Sequence, residues 1–368
     1  MLQNFIDEKK AWLFGSISYD LKNEIEHLSS SNADNIEFPL LHFFEPKFVI
    51  ESIHNLWYLN YDSNTTNSLE AEALMQLIYS TAQSNYTQTN SLKLTEKVQK
   101  EEYIKTIDEL KKHIQLGNIY EINYCQEYYA INAIIQPVAV YEKLNAISKA
   151  PLAAFCKFNH HYLISSSPER YIKKSGNYLL SQPIKGTAKR SSNNAEDELI
   201  KTALKNNLKE QTENVMIVDL VRNDLSKIAA KGSVQVDELF GTYSFKQVHQ
   251  LISTVSCTLP KNTNFTDIIK ATFPMGSMTG APKVSAMKLI EAFEKTKRGL
   301  YSGTIGYINP EGDFDFSVVI RSILYNSNTN NVSLMVGSAI TAQADAEQEY
   351  NECLLKAKAL IEVLETTD

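Results

Sequence analysis

The chain has 368 residues, 43% hydrophobic, 21% charged and 10% aromatic, which suits a large folded core in roughly two domains and excludes a disordered chain. A formal net charge of -7 and a pI near 5.6 exclude a general nucleic-acid coat, which needs a basic surface, but leave room for a small anionic ligand. Scattered Cys125, Cys156, Cys257 and Cys353, an N-terminus (MLQNFIDEKKAW) that turns charged early, and no apolar run of about 18–20 residues imply a reduced, cytoplasmic protein without a signal peptide or membrane span.

Along the chain, AWLFGSISYDL (11–21), 40–53 and 54–61 alternate apolar and polar positions and carry aromatic residues, so short strands are expected. Polar stretches at 62–68 and 84–92 read as loops, and the second marks the best boundary. From Thr95 onward Tyr103, Ile107, Leu110 and Ile114 recur at helical spacing until Gly117 stops the pattern. Strands are expected at 119–135 and in two arms within 161–184, followed by one long helical pattern over 194–230. Strands at 232–238 and 248–257, a helix over 282–297, strands at 300–309, 314–325 and 331–342 and a helix over 345–364 complete the chain. Strands and helices do not alternate strictly, which favours an α+β or layered α/β sandwich with largely antiparallel sheets over a doubly wound one.

Two helices each carry a carboxylate pair three residues apart, Glu210 with Glu213 and Glu349 with Glu352, and Lys356 follows one turn after the second pair. Residues at i and i+3 share a helix face. Either pair alone fits a solvated face. Four carboxylates gathered at one spot would instead call for a hard cation with oxygen ligands, such as Mg2+. Lys185, just before Gly186 at a strand end, is either a surface amine or a nucleophile, which would need its pKa lowered by burial or by cations such as Lys189, Arg190 or Mg2+. FPMGSMTGAPK (273–283) reads as a glycine-bearing turn into a helix, capped near Thr279, where free N–H groups suit an anion. Arg321 is a charge inside the apolar run DFSVVIRSILYN, either on a wet sheet face or clamping a carboxylate.

The ordered segments SSSPERYI (165–172), QPIKGT (182–187), ENVMIVDLVRNDL (213–225), FPMGSMTGAPKVSAMKLIE (273–291), RGLYSGTIGY (298–307) and EQEYNECLLKAKAL (347–360) resemble the chorismate-binding enzymes, which include anthranilate, aminodeoxychorismate, isochorismate and salicylate synthases. The resemblance runs over residues 97–362, the catalytic domain. Residues 1–92 are similar to a shortened form of the N-terminal region of the amine-adding members. It implies one intertwined sandwich, of the anthranilate synthase component I type, with two large mostly antiparallel sheets and outer helices. It further implies Mg2+ on Glu210, Glu213, Glu349 and Glu352, with Glu169 as general acid for the departing C4 hydroxyl. Substrate contacts are implied for Arg321, Tyr307, Lys356, Thr279 and the Gly337–Ser338 backbone.

Lys185 separates the members, because PIKGT resembles aminodeoxychorismate synthases whereas anthranilate synthases typically carry PIAGT. The implied reaction is the replacement of the chorismate C4 hydroxyl by ammonia through a lysine adduct at C2, on the way to p-aminobenzoate and folate. Glu121 stands where isochorismate and salicylate synthases place a water-activating lysine, which disfavours their chemistry. In VHQLISTVS (248–256) Gln250 takes the family's histidine position, and His249 lies one place earlier, on the opposite strand face. Without a nucleophile-elbow cysteine for glutamine hydrolysis, ammonia is expected from a partner glutamine amidotransferase subunit. Anthranilate synthase component I and a catalytically impaired chorismate-binding paralogue are the alternatives.

Overall fold

Helix α1 (Leu2–Lys9) leads into β1 (Leu13–Ile17), the short α2 (Lys22–Ile25), β2 (Leu41–Phe44), a hairpin of β3 (Val49–Ile53) and β4 (Leu56–Asn60), and α3 (Ser68–Ser80). Next come β5 (Thr95–Glu96), α4 (Lys100–Gln115), β6 (Glu121–Ala130), α5 (Pro137–Ser148), β7 (Leu152–Phe158), β8 (His161–Ser167), β9 (Arg170–Ser175), β10 (Tyr178–Gln182) and β11 (Ile184–Lys189). The rest comprises α6 (Asn194–Lys205), α7 (Leu208–Ser226), β12 (Gln235–Ser244), β13 (Val248–Thr258), α8 (Phe265–Thr272), β14 (Gly280–Ala281) and α9 (Lys283–Phe293). Strands β15 (Thr304–Ile308), β16 (Phe314–Val318), β17 (Ser322–Asn326) and β18 (Asn331–Thr341) lead to α10 (Ala346–Glu365). This computed structural model describes residues 1–81, 87, 91–246 and 248–366, so most of the boundary expected at 84–92 lies outside the described residues.

Two sheets dominate, as the α+β reading requires. The larger has nine strands in the order β11-β13-β10-β9-β16-β15-β1-β2, with β12 also on β13. The second has seven, β14-β6-β18-β17-β8-β7, with β5 on β6. Neighbouring strands in both are antiparallel. N-terminal β1 pairs with β15, so the first strands extend the sheet that carries much of the later chain. One core cluster lies against the larger sheet and includes Phe316 and Val255, with Ile217 and Val221 of α7. The other sits under the helices on the second sheet, where Tyr103, Ile107 and Leu110 of α4 are wholly buried. Burying each such side chain contributes about 1.5–3 kcal/mol.

Three expectations are corrected. The α4 helix begins at Lys100, because Thr95 and Glu96 pair with Tyr129 and Tyr128 as a short strand. The run over 194–230 is two helices. Asn207 interrupts it, and its side chain caps α7 by accepting from the Lys209 and Glu210 N–H groups. The run over 314–325 is two strands in different sheets. Val319–Arg321 breaks it, and Arg321 has φ 50.

Candidate active site

The break at Arg321 has a companion. The chain also crosses between the sheets at Pro168–Glu169, from β8 to β9. The two crossings run side by side, tied by Val318 N–H to the Glu169 carbonyl and Ser166 N–H to the Arg321 carbonyl, each 3.0 Å. Glu169 and Arg321 therefore meet at the seam between the sheets, and both line a cavity of about 760 Å3.

Lys185 reaches the same cavity from β11. The register of β11 against β13 slips between Ile184 and Thr187, so Lys185 and Gly186 occupy an irregularity that re-aims the side chain. Gly186 has φ +93, and a Cβ there would lie 3.1 Å from Glu210 Oε2 and from Leu251. Glycine thus lets the strand approach the first carboxylate helix. Lys185 Nζ donates to Glu121 Oε1 at 2.8 Å, and the Glu121 side chain is 1% exposed.

Helices α7 and α10 bring Glu210, Glu213, Glu349 and Glu352 to the cavity together, so both pairs face one space. Lys209 stands between them, its Nζ 3.0 Å from Glu349 Oε1 and 3.8 Å from Glu213 Oε1. Lys356 pairs with Glu352 at 2.6 Å and donates to the Gly337 carbonyl at 2.8 Å.

The charges tune one another. Burial pushes Glu169 up to about 7, although the Ser277 hydroxyl, Lys185 and Lys356 pull it back. Burial likewise raises Glu213 to about 7 against the pull of Lys185 and Lys209. Glu210 is raised by burial and by Glu352, whereas burial of Glu352 is outweighed by Lys356 and its carboxyl is held below the ordinary range. The sequence calls for a lowered Lys185; the structure gives the opposite. Burial alone would depress it, but Glu121, Glu213 and Glu169 surround the amine and hold it above its ordinary value.

Three expected contacts are placed elsewhere. Tyr307 packs its ring on Trp12 and Phe14, with centroids 5.5 and 6.0 Å away, and is absent from the cavity wall. Thr279 is wholly buried and donates to the Met275 and Gly276 carbonyls, each 3.2 Å away, while Pro282 occupies the N-cap of α9. Ser338 lies mid-strand in β18 and turns its hydroxyl to Tyr103 at 2.9 Å; its neighbours Gly337 and Ala339 line the cavity.

Sequence reasoning missed Tyr301, Ser277 and Lys209, all on the cavity wall. Tyr301 belongs to the same RGLYSGTIGY segment as Tyr307, and of the two only Tyr301 lines the cavity. His249 and Gln250 face opposite sides of β13: His249 bonds Asp197 at 3.0 Å and Ser244 at 2.8 Å, while Gln250 faces the cavity.

Some wall atoms lack partners. Glu213 Oε1 and Gln250 Oε1 are buried without a hydrogen bond. Such groups are costly unless a ligand or water completes them. Among the described residues no three acidic, His or Cys side chains converge into a ready-made metal cage. Mg2+ needs only one or two carboxylates beside substrate oxygens and waters, so the donor set, with its orphaned Glu213 oxygen, fits that ion.

Residues 2–362 match the family described as chorismate binding enzyme. The chain belongs to the chorismate-binding enzymes. Within 358 residues it is 34% identical to an anthranilate synthase component I-like protein of Synechocystis sp., covering 96% of this chain and 72% of that one. It is 31% identical to aminodeoxychorismate synthase component 1 of Klebsiella aerogenes, covering 96% and 77%. Against the probable chloroplastic aminodeoxychorismate synthase of Oryza sativa subsp. japonica it is 36% identical over 85% of this chain, but spans only 36% of that protein. Among solved structures, anthranilate synthase component I from Streptococcus pneumoniae TIGR4 superposes with a TM-score of 0.84 at 26% identity, covering 95% of this chain and 80% of that one. This chorismate-binding chain thus has the α+β sandwich fold of anthranilate synthase component I. No helix among its described residues is long and apolar enough to cross a membrane.

Proposed function

We propose that the chain is the large component of aminodeoxychorismate synthase, converting chorismate and ammonia to 4-amino-4-deoxychorismate. The observation that carries this reading is Lys185, an amine that lines the same cavity as the buried acid Glu169 and the two glutamate pairs. Lys185 passes a proton to the adjacent Glu121 carboxylate, and the freed amine is the nucleophile that attacks C2 as the ring double bonds shift and the C4 hydroxyl departs. Glu169, which burial keeps protonated near neutrality, gives its proton to that hydroxyl, a poor leaving group otherwise. Ammonia then attacks C4, the double bonds shift back, and the Lys185 nitrogen leaves from C2.

Arg321, Lys356, Tyr301 and the Gly337 backbone orient the two substrate carboxylates. Glu210, Glu213, Glu349 and Glu352 are the residues that would hold Mg2+, which supplies charge neutralisation for the ring carboxylate. Ammonia comes from a separate glutamine amidotransferase subunit, as the name component 1 of the Klebsiella relative suggests. A cytoplasmic site of action, upstream of p-aminobenzoate and folate, goes with this reading.

Anthranilate synthase is the second reading, favoured by the name of the Synechocystis relative and by the Streptococcus structure. Incubation with chorismate, Mg2+ and ammonium, with the product identified by mass and by conversion to p-aminobenzoate with the downstream lyase, separates them. Anthranilate as the product would overturn the proposal.

A further inference from the structure

We propose that Lys209 is a tethered counter-ion for the two glutamate helices, holding their carboxylates together in the metal-free chain and yielding to the divalent cation when it loads. The inference rests on the reading that these glutamates hold Mg2+.

Three observations support it. First, the Lys209 amine joins one carboxylate of each pair, Glu213 on α7 and Glu349 on α10, at 3.8 and 3.0 Å. Of the cavity's other lysines, the two that pair with its carboxylates are engaged elsewhere: Lys185 with Glu121, and Lys356 with Glu352 and the Gly337 carbonyl. Second, Lys209 occupies the first turn of α7, where exposed N–H groups and the helix dipole disfavour a cation. Its position is explained by what the side chain reaches across to, and not by any benefit to its own helix. Third, the partners differ in mobility. Glu349 and Glu213 are buried, with side chains 2% and 10% exposed, whereas that of Lys209 is 38% exposed. The carboxylates cannot regain water, but a long flexible amine can swing outward.

The Glu213 Oε1 atom has no hydrogen-bond partner at its 3.8 Å separation from the amine. Lys209 therefore compensates the charge of Glu213 without saturating its oxygen. That leaves a ligating oxygen available to an incoming ion. The device spares the cavity two uncompensated carboxylates before loading, Glu213 and Glu349, at the cost of weaker metal affinity.

The test is Mg2+ titration by calorimetry on the substrate-free wild type, Lys209→Met and Lys209→Arg, with melting curves at each metal concentration. Lys209→Met should bind Mg2+ about tenfold or more tighter, the scale of losing one close competing charge pair. It should also melt lower without metal and gain more from metal than the wild type does. Lys209→Arg, which keeps the charge, should resemble the wild type. Unchanged or weaker Mg2+ binding by a folded Lys209→Met would overturn the inference while leaving the metal reading intact. If neither protein binds Mg2+ even with chorismate present, the metal reading fails and this inference falls with it. Should Lys209→Met not fold, Lys209→Gln serves in its place with the same two outcomes.

Discussion

The Lys185 amine lies 2.8 Å from the Glu121 carboxylate, joining β11 of the larger sheet to β6 of the second. Two cations could not share that gap without strong repulsion. A lysine at position 185 and a lysine at position 121 are therefore alternatives, and this chain has the first. The pair also explains why the amine rests charged: neighbouring carboxylates outweigh the effect of burial. Activation of Lys185 must then come with a change in its surroundings as the cavity fills.

Under the proposed mechanism, Glu169 sets the pH dependence. Its carboxyl is raised by burial to about 7, and a general acid works only while it carries its proton. The protonated fraction, and with it kcat/KM at fixed free ammonia, should fall as pH rises through that value. Glu169→Gln should cost about 10²–10⁴-fold and lose this limb of the profile.

The two tyrosines of RGLYSGTIGY give opposite expectations. Tyr301 lines the cavity while Tyr307 stacks against Trp12 and Phe14. Removing one hydrogen bond to a charged group costs about 1.5–3 kcal/mol, so Tyr301→Phe should raise KM for chorismate on the order of tenfold or more. Tyr307→Phe keeps its ring contacts and should stay within about twofold of wild type. Steady-state kinetics on both variants checks the assignment.

Beneath the cavity, Arg298 and Glu294 form a buried pair at 2.6 Å. Arg298 also donates to the Met278 and Asn123 carbonyls at 2.6 and 2.9 Å, and both of those residues line the cavity. Breaking such a pair strands a buried charge. Glu294→Ala should therefore lose about 3–5 kcal/mol in urea unfolding.

The sequence reveals the site unevenly, for physical reasons. The glutamate pairs are legible because helical spacing alone puts i and i+3 on one face, and both pairs do line one cavity. The strand break at Val319–Arg321 is not, since an apolar run continues through it while the chain changes sheets. Tyr301 and Tyr307 share a segment, and only tertiary packing tells them apart. Lys185 is legible as a residue but not in its charge state, which depends on Glu121 and Glu213, far away in sequence. Asn207 is a residue type that caps helices, and its side chain accepts from two first-turn N–H groups of α7.

The central claim is that the Lys185 nitrogen bonds to the substrate ring. It is tested most directly by acid-quenching the enzyme with chorismate and Mg2+ in the absence of ammonia, then locating added mass by peptide mass spectrometry. The predicted result is chorismate less one water on the peptide containing Lys185, absent from Lys185→Ala, which should also make no amino product. No adduct on that peptide, together with undiminished amino product from Lys185→Ala, would contradict it.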